Sequence, residues 1–86
     1  MKVAMPACGD LEENTDRLGN DYSSMTLLSA DPCECAQLCQ DDESCVAFTY
    51  VAPGYQGNEG PQCFLKNAAG EPTENEFCTS GVISRT

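Results

Sequence analysis

Apolar residues fall into short runs separated by polar, turn-forming stretches, and this pattern predicts several strands and one helix. Three short runs predict strands: residues 24–29 (SMTLLS), residues 45–51 (CVAFTYV), which are β-branched and aromatic, and residues 63–67 (CFLKN). FCTSGVIS, at residues 77–84, predicts a last short strand. We therefore expect an α+β fold in which a single helix packs on an antiparallel sheet.

The helix is predicted over residues 32–42. Asp31 offers a side-chain oxygen as the N-cap, Pro32 suits the first helical position, and Glu34 completes a D-x-x-E capping box. The acidic sequence DDE that follows opposes the helix dipole, so we expect the helix to stop there. The candidates for a core shared by helix and sheet are Cys35, Leu38, Cys39, Val46, Phe48, Phe64 and Leu65.

The remaining sequence is polar and contains most of the glycine and proline. The composition of these segments predicts turns over residues 8–24, an open loop over residues 52–62 and a polar connection over residues 68–76. There is no internal repeat or domain boundary. We therefore expect residues 1–86 to form a single module with a core of about 8–83.

Seven cysteines in 86 residues are typical of a small secreted domain held by disulfides. The spacing from Cys33 to Cys45 is C-x-C-x3-C-x5-C, which lacks the C-x2–4-C knuckles of a structural zinc site. A C-x-x-C redox motif is absent as well. Disulfides are the prediction, and structural zinc is the alternative.

Helical geometry separates the clustered cysteines into two groups. Successive residues on a helix are about 100° apart, so Cys35 and Cys39 share one face, whereas Cys33 lies almost opposite. One free cysteine and three bonds allow about 105 arrangements. Chain topology favours Cys39–Cys45 as a local bond and Cys35–Cys63 as a helix-to-strand bond, and Cys8–Cys78 would then join the two ends.

Charge and composition exclude several classes of function. Fourteen acidic residues against four basic ones give a net charge of −10, which disfavours nucleic acid and anionic membranes as partners. No apolar run is long enough for membrane insertion. Without histidine the chain lacks the commonest general base, so we expect no enzyme and no cofactor. The sequence DDE lacks the alternating ligands and glycine of a calcium loop, so we expect no metal.

The opening sequence MKVAMPACGD has no apolar stretch long enough for a signal peptide. Because the cysteines indicate secretion, we expect the chain to be a mature fragment or an excised module. We then expect Met1 to be an added start residue and further modules to adjoin this one in the full-length protein.

Three segments, CAQLCQDDESCVAFTYV, QCFLKN and CTSGV, resemble the PAN/Apple module. The family pattern is a C-x3-C helix, a cysteine opening a strand with an aromatic-x-Tyr motif, a C-[FWY]-L-K strand and a late Ser-Gly. The resemblance covers Cys8 to Ile83, and it implies a helix cradled by a curved antiparallel sheet and the same three disulfides. Cys33 departs from the family pattern. We predict that it is a free thiol, and a bond to another module is the alternative.

The acidic composition and the lone module are similar to the apple modules of apicomplexan micronemal adhesins. This resemblance implies a non-catalytic extracellular adhesion module that binds a protein ligand or partner adhesin. We expect it to be one unit of a larger protein of the secretory pathway, stored in a microneme-type organelle and used in host-cell attachment or invasion.

A carbohydrate-binding, lectin-like module is the alternative function. The candidate ligand-binding residues lie in the open loop and are Tyr55, Gln56, Asn58 and Glu59. An equally good interpretation is that Tyr55 packs on the sheet. Tyr50 could also offer an aromatic platform, although a core position in its strand is the better interpretation.

Overall fold

The computed structural model describes residues 11–54 and 60–83. Within these residues the elements are β1 (Glu12–Arg17), β2 (Asp21–Thr26), α1 (Pro32–Gln40), β3 (Ala47–Val51), β4 (Gln62–Lys66) and β5 (Pro72–Val82). The strands form one antiparallel sheet in the order β1-β5-β3-β4-β2. The helix packs on β3 and β4 at the centre of the sheet. The predicted α+β fold is confirmed.

The sequence pattern misses β1 and the first part of β5. Both lie in stretches that the sequence predicts as turns or polar connection, yet they pair with each other from Glu12 opposite Ser80 to Arg17 opposite Pro72. Most side chains of this pair are exposed or only half-buried. Because neither face of the β1–β5 pair is fully buried, these segments carry no clear apolar alternation that would predict a strand.

The boundaries of the other elements differ from the predicted ones by a few residues. The second strand ends at Thr26, and the two leucines that follow it lie outside the strand. Leu27 enters the core at 5 % exposure and donates its N–H to the carbonyl oxygen of Pro61 at 2.8 Å, whereas Leu28 is 97 % exposed. An apolar pair at a strand end therefore does not extend the strand.

The helix begins as predicted and ends two residues early, at Gln40. Asp31 is the N-cap, and its carboxylate accepts the N–H of Cys33 at 2.9 Å. The reciprocal half of the predicted capping box does not form. Glu34 instead accepts a hydrogen bond from the hydroxyl of Ser29 at 2.9 Å, and the N–H of Asp31 donates to the carbonyl oxygen of Ser29.

The core lies between the helix and one face of the sheet. Its buried members are Leu27, Cys35, Ala36, Cys39, Cys45, Phe48, Tyr50, Cys63 and Leu65. Three predicted core positions differ. Leu38 is only partly buried against this cluster, Val46 is 37 % exposed, and Phe64 is half-buried and points to the other face of the sheet. Alternation along β4 explains the position of Phe64, because its neighbours Cys63 and Leu65 face the helix.

Two of the predicted disulfides are present. Cys35–Cys63 ties the helix to β4 with an S–S distance of 2.08 Å, and Cys39–Cys45 ties the end of the helix to the start of the next strand at 1.98 Å. Chain-entropy estimates for loops of these lengths are about 3.6 and about 2.4 kcal/mol. A small domain with a limited core gains a substantial part of its stability from such bonds.

The other two predictions about cysteine are wrong. Cys78 is a buried free thiol, so the predicted Cys8–Cys78 bond is absent, although Cys8 itself lies outside the described residues. Cys33 is disulfide-bonded rather than free. The reason lies in register: Cys78 is paired with Val51, whose side chain lies on the sheet face away from the helix. Cys33 is half-buried near the start of the helix, and a helical position away from Cys35 and Cys39 does not leave a cysteine without a partner.

No helix within residues 11–54 and 60–83 is both long and apolar enough to cross a membrane.

A pocket on the helix-free face of the sheet

A pocket of about 430 Å³, which we call the sheet pocket, lies on the face of the sheet opposite the helix. Its floor consists of Thr49 and Val51 from β3 and Phe64 and Lys66 from β4. These residues alternate with side chains that face the helix, so the pleat of the two central strands sends them into the pocket. The remaining lining residues are Asp16, Leu18, Gly19, Asp21, Thr73, Glu74, Asn75 and Cys78.

A bulge between β1 and β5 raises the wall of the pocket. The pairing passes from Glu13 opposite Thr79 to Thr15 opposite Glu74, so β5 advances five residues while β1 advances two. Asn14, between the two pairs, has a φ of 57°, in the left-handed region. A bulge of this kind bends the strand and increases its twist. Beyond the bulge, Asp16 on β1 and Thr73, Glu74 and Asn75 on β5 border the floor.

Two buried hydroxyl groups fix this wall to the floor. Thr49 is 2 % exposed and Ser80 is fully buried, and their oxygens are 2.7 Å apart. Because Ser80 donates its proton to the carbonyl oxygen of Thr15 at 2.8 Å, Thr49 must be the donor between the two hydroxyls. The backbone N–H of Arg17 in turn approaches the Thr49 hydroxyl at 3.5 Å. This chain of hydrogen bonds holds β1 over β3.

An ion pair within β1 also anchors this strand to the connection that precedes β5. Arg17 donates two parallel hydrogen bonds to the carboxylate of Glu12, at 2.8 and 2.7 Å, and a third to the carbonyl oxygen of Gly70 at 2.7 Å. The hydrogen bonds from Arg17 hold the pKa of Glu12 below its ordinary value, against the opposing effect of burial. The paired guanidinium fastens β1 to the connection that leads into β5.

Lys66 places a buried cation at the edge of the floor. Its side chain is only 3 % exposed, and its ammonium group donates to the carbonyl oxygen of Gly19 at 3.1 Å and to the carboxylate of Asp21. Asp21 stands opposite Lys66 in the pairing of β2 with β4, and its own side chain is 43 % exposed. The pocket thus holds a fixed donor directly beside a carboxylate acceptor that water and ligands can reach.

The free thiol of Cys78 also lines the pocket, but it is not a nucleophile at neutral pH. The pKa of Cys78 is raised to about 11, chiefly by burial and also by the carboxylate of Asp16, with Lys66 partly opposing both effects. The thiolate is the reactive form of cysteine, so a thiol with this pKa stays neutral and unreactive. Cys78 therefore contributes a small, uncharged side chain to the lining of the pocket.

The pocket combines an apolar patch on its floor with polar groups around it. The half-buried ring of Phe64 and the side chain of Val51 form the apolar part, and Leu18, which is 63 % exposed, stands at the mouth. Small-molecule sites commonly join an apolar or aromatic surface to a few placed hydrogen-bonding groups. The arrangement therefore suits a small ligand that has both an apolar face and several hydroxyl or amide groups.

A family model described as the PAN domain matches residues 15–66. The chain belongs to the PAN domain family. The matched segment runs from within β1 to the end of β4, and it contains the helix, both described disulfides and the floor of the sheet pocket. PAN domains are generally non-catalytic modules that bind proteins or carbohydrates, and a disulfide-rich module of this kind is typical of extracellular or secreted proteins. No curated protein matches the chain.

The predicted ligand-binding residues of this PAN module are Tyr55, Gln56, Asn58 and Glu59, and all of them lie outside the described residues. Tyr50 is 6 % exposed within the core on the helix side, which confirms the core interpretation of that residue. In residues 11–54 and 60–83, no three acidic or cysteine side chains form a group that could hold a metal ion.

The sequence reasoning did not single out the sheet pocket, although a signal for it was present. Once Cys63 is assigned to the helix-facing side by its disulfide, strand alternation requires Phe64 and Lys66 to share the other face. The sequence therefore held enough information to place an aromatic ring and a lysine together on that face.

Proposed function

We propose that this PAN module is a non-catalytic recognition unit of a secreted adhesive protein and that it binds a carbohydrate in the sheet pocket. The observation that carries the proposal is the half-buried ring of Phe64 in a pocket bordered by hydrogen-bonding groups. A pyranose ring has an apolar face of C–H groups and a rim of hydroxyls. The ring of Phe64 complements the C–H face of the sugar, and the hydrogen-bonding groups around it complement the hydroxyls.

The polar groups of the pocket suit hydroxyl recognition in particular. Lys66 supplies a fixed donor, and the partly exposed carboxylate of Asp21 supplies an acceptor beside it. Because the lysine and its carboxylate are already paired, neither has to be desolvated alone when a ligand enters. A volume of about 430 Å³ accommodates one or two sugar residues.

Protein binding, the function favoured by the sequence, is the second candidate. Leu18 at the mouth of the pocket is 63 % exposed and could anchor an apolar side chain of a protein ligand. The resemblance to the apple modules of apicomplexan micronemal adhesins supports host-cell attachment or invasion as the setting for either ligand. Neighbouring modules in such an adhesin would add avidity to weak single sites.

A glycan array probed with the module and two phenylalanine variants tests the proposal. We expect one related group of glycans to bind the unmodified module and to lose binding in Phe64→Ala. Phe77→Ala is the matched control, because Phe77 is 40 % exposed on β5 and does not line the pocket. Absence of any glycan ligand, or equal loss in the two variants, contradicts the proposal. Binding to a glycoprotein that survives its deglycosylation favours the protein-binding candidate.

A further inference from the structure

We infer that the sheet pocket selects uncharged sugars over acidic sugars, and that Asp21 sets this selectivity by neutralising the buried ammonium group of Lys66. The inference rests on the proposed carbohydrate-binding function and specifies the chemical class of ligand for the same site. Its basis is the pairing of the two side chains and the charge of the surrounding wall.

The charges around the pocket do not favour an anion. Among the described residues that line it, Asp16, Asp21 and Glu74 are acidic and Lys66 is the one cation. Three carboxylates against one ammonium leave an excess of two negative charges. Cys78 does not change this balance, because its thiol stays neutral with a pKa of about 11. The net charge of −10 on the whole chain adds to the unfavourable potential for anionic ligands.

The hydrogen-bonding state of Lys66 explains why it does not act as an anion site. An ammonium group has three protons, and two of them go to the carbonyl oxygen of Gly19 and the carboxylate of Asp21. One proton remains for a ligand, and a sugar hydroxyl can accept it while donating its own proton to Asp21. A ligand carboxylate could accept the same proton, but it would lie beside Asp21 and in the field of the other two carboxylates.

Asp21 is therefore the residue whose charge decides between the two kinds of ligand. Replacing it by asparagine keeps the shape and an acceptor oxygen for Lys66, but it leaves the ammonium charge without its partner. Because the side chain of Asp21 is 43 % exposed, the substitution opens no cavity in the core. Lys66 then becomes available to pair with a carboxylate on the ligand.

The test uses NMR titration of the module with methyl glucoside, galactoside and mannoside and with the uronic acid counterpart of each. We expect at least one neutral glycoside to bind the unmodified module, and its uronate to bind about tenfold more weakly or worse. In Asp21→Asn we expect the ratio of neutral to acidic affinity to shift by about tenfold or more towards the uronate.

Glu43→Gln is the matched control. Glu43 is exposed, lies outside the pocket and carries the same charge, so its removal should leave the ratio unchanged. A uronate that binds the unmodified module as well as its neutral partner leaves the carbohydrate function standing and overturns the selectivity inference. An unchanged ratio in Asp21→Asn, in a variant with a native-like spectrum, overturns it as well. Failure of all six probes to bind counts against both the function and the inference.

Discussion

Gly81 gives a sharp test of the packing behind the sheet pocket. It stands opposite Phe48 in the pairing of β5 with β3, and the ring of Phe48 occupies the space where a side chain would begin. A Cβ at residue 81 would lie 2.6 Å from each of two ring atoms, and the ring is 2 % exposed and confined by the helix. Overpacking of a well-packed core costs about 1–3 kcal/mol.

The expected net effect of Gly81→Ala is a loss of about 1–2 kcal/mol in the free energy of unfolding. A smaller opposing effect comes from the unfolded chain, because alanine restricts it more than glycine and returns about 0.4–1 kcal/mol. For a domain of this size the net loss corresponds to a fall in Tm of roughly 5–15 °C. Thermal melts followed by circular dichroism, with denaturant melts for the free energy, measure the change.

A double-mutant cycle identifies the cause. In a Phe48→Leu background the ring is absent, so Gly81→Ala should cost less than about 0.5 kcal/mol. Gly60→Ala is the matched control, because its Cβ would approach only the methyl group of Thr26, at 3.3 Å on an exposed side chain. A Gly81→Ala variant as stable as the unmodified module, or a cost that persists without the ring, refutes the packing argument.

Three further predictions concern the state of the cysteines, the loss of stability at low pH and the hydrogen bonds that hold the pocket wall. Alkylation should label Cys78 only after denaturation, since it is buried with a raised pKa, and peptide mapping should find Cys33 in a disulfide-linked peptide; label on Cys33 would contradict this. Because Arg17 lowers the pKa of Glu12, the stabilisation is present above the ordinary value of 4.5 and is lost as pH falls through the lowered one. In Glu12→Gln the free energy of unfolding should therefore fall less steeply with pH below about pH 4.5. Denaturant melts at several pH values measure this dependence, and a variant with the same dependence as the unmodified module would show that the ion pair does not contribute. Ser80→Ala should cost about 1–3 kcal/mol in the same melts, because it leaves a buried threonine hydroxyl and a β1 carbonyl without their partner; a neutral substitution would show that the hydroxyl chain does not hold the wall.

Local chemistry made the helix and the central strands predictable. Asp31 and Pro32 specify the start of the helix, and the apolar, β-branched residues of β3 mark a strand that is buried on both faces. β1 was not predictable in the same way. Its sequence EENTDR becomes a strand because it pairs with β5 and is fastened by Arg17, and neither interaction leaves an apolar pattern in the sequence.

Helical geometry predicted correctly which cysteines enter the core, but it did not predict which cysteine is free. The shared face of Cys35 and Cys39 correctly indicated that both enter the core, where each forms a disulfide. The helical position of Cys33, opposite Cys35 and Cys39, did not justify the inference that it has no partner, because Cys33 is disulfide-bonded. Likewise, a lysine at the end of an apolar strand gave no sign that β2 and the preceding turn would enclose its ammonium group.

The central claim is that the ligand of this module binds in the sheet pocket, and a two-dimensional ¹H–¹⁵N NMR titration with neutral methyl hexopyranosides tests it most directly. We expect saturable shifts at the amides of Thr49, Phe64 and Lys66 and along residues 73–75, with little change in the helix at residues 32–40. Saturable shifts confined to residues 55–59, or to the helix, with the floor of the pocket unchanged, would contradict the claim.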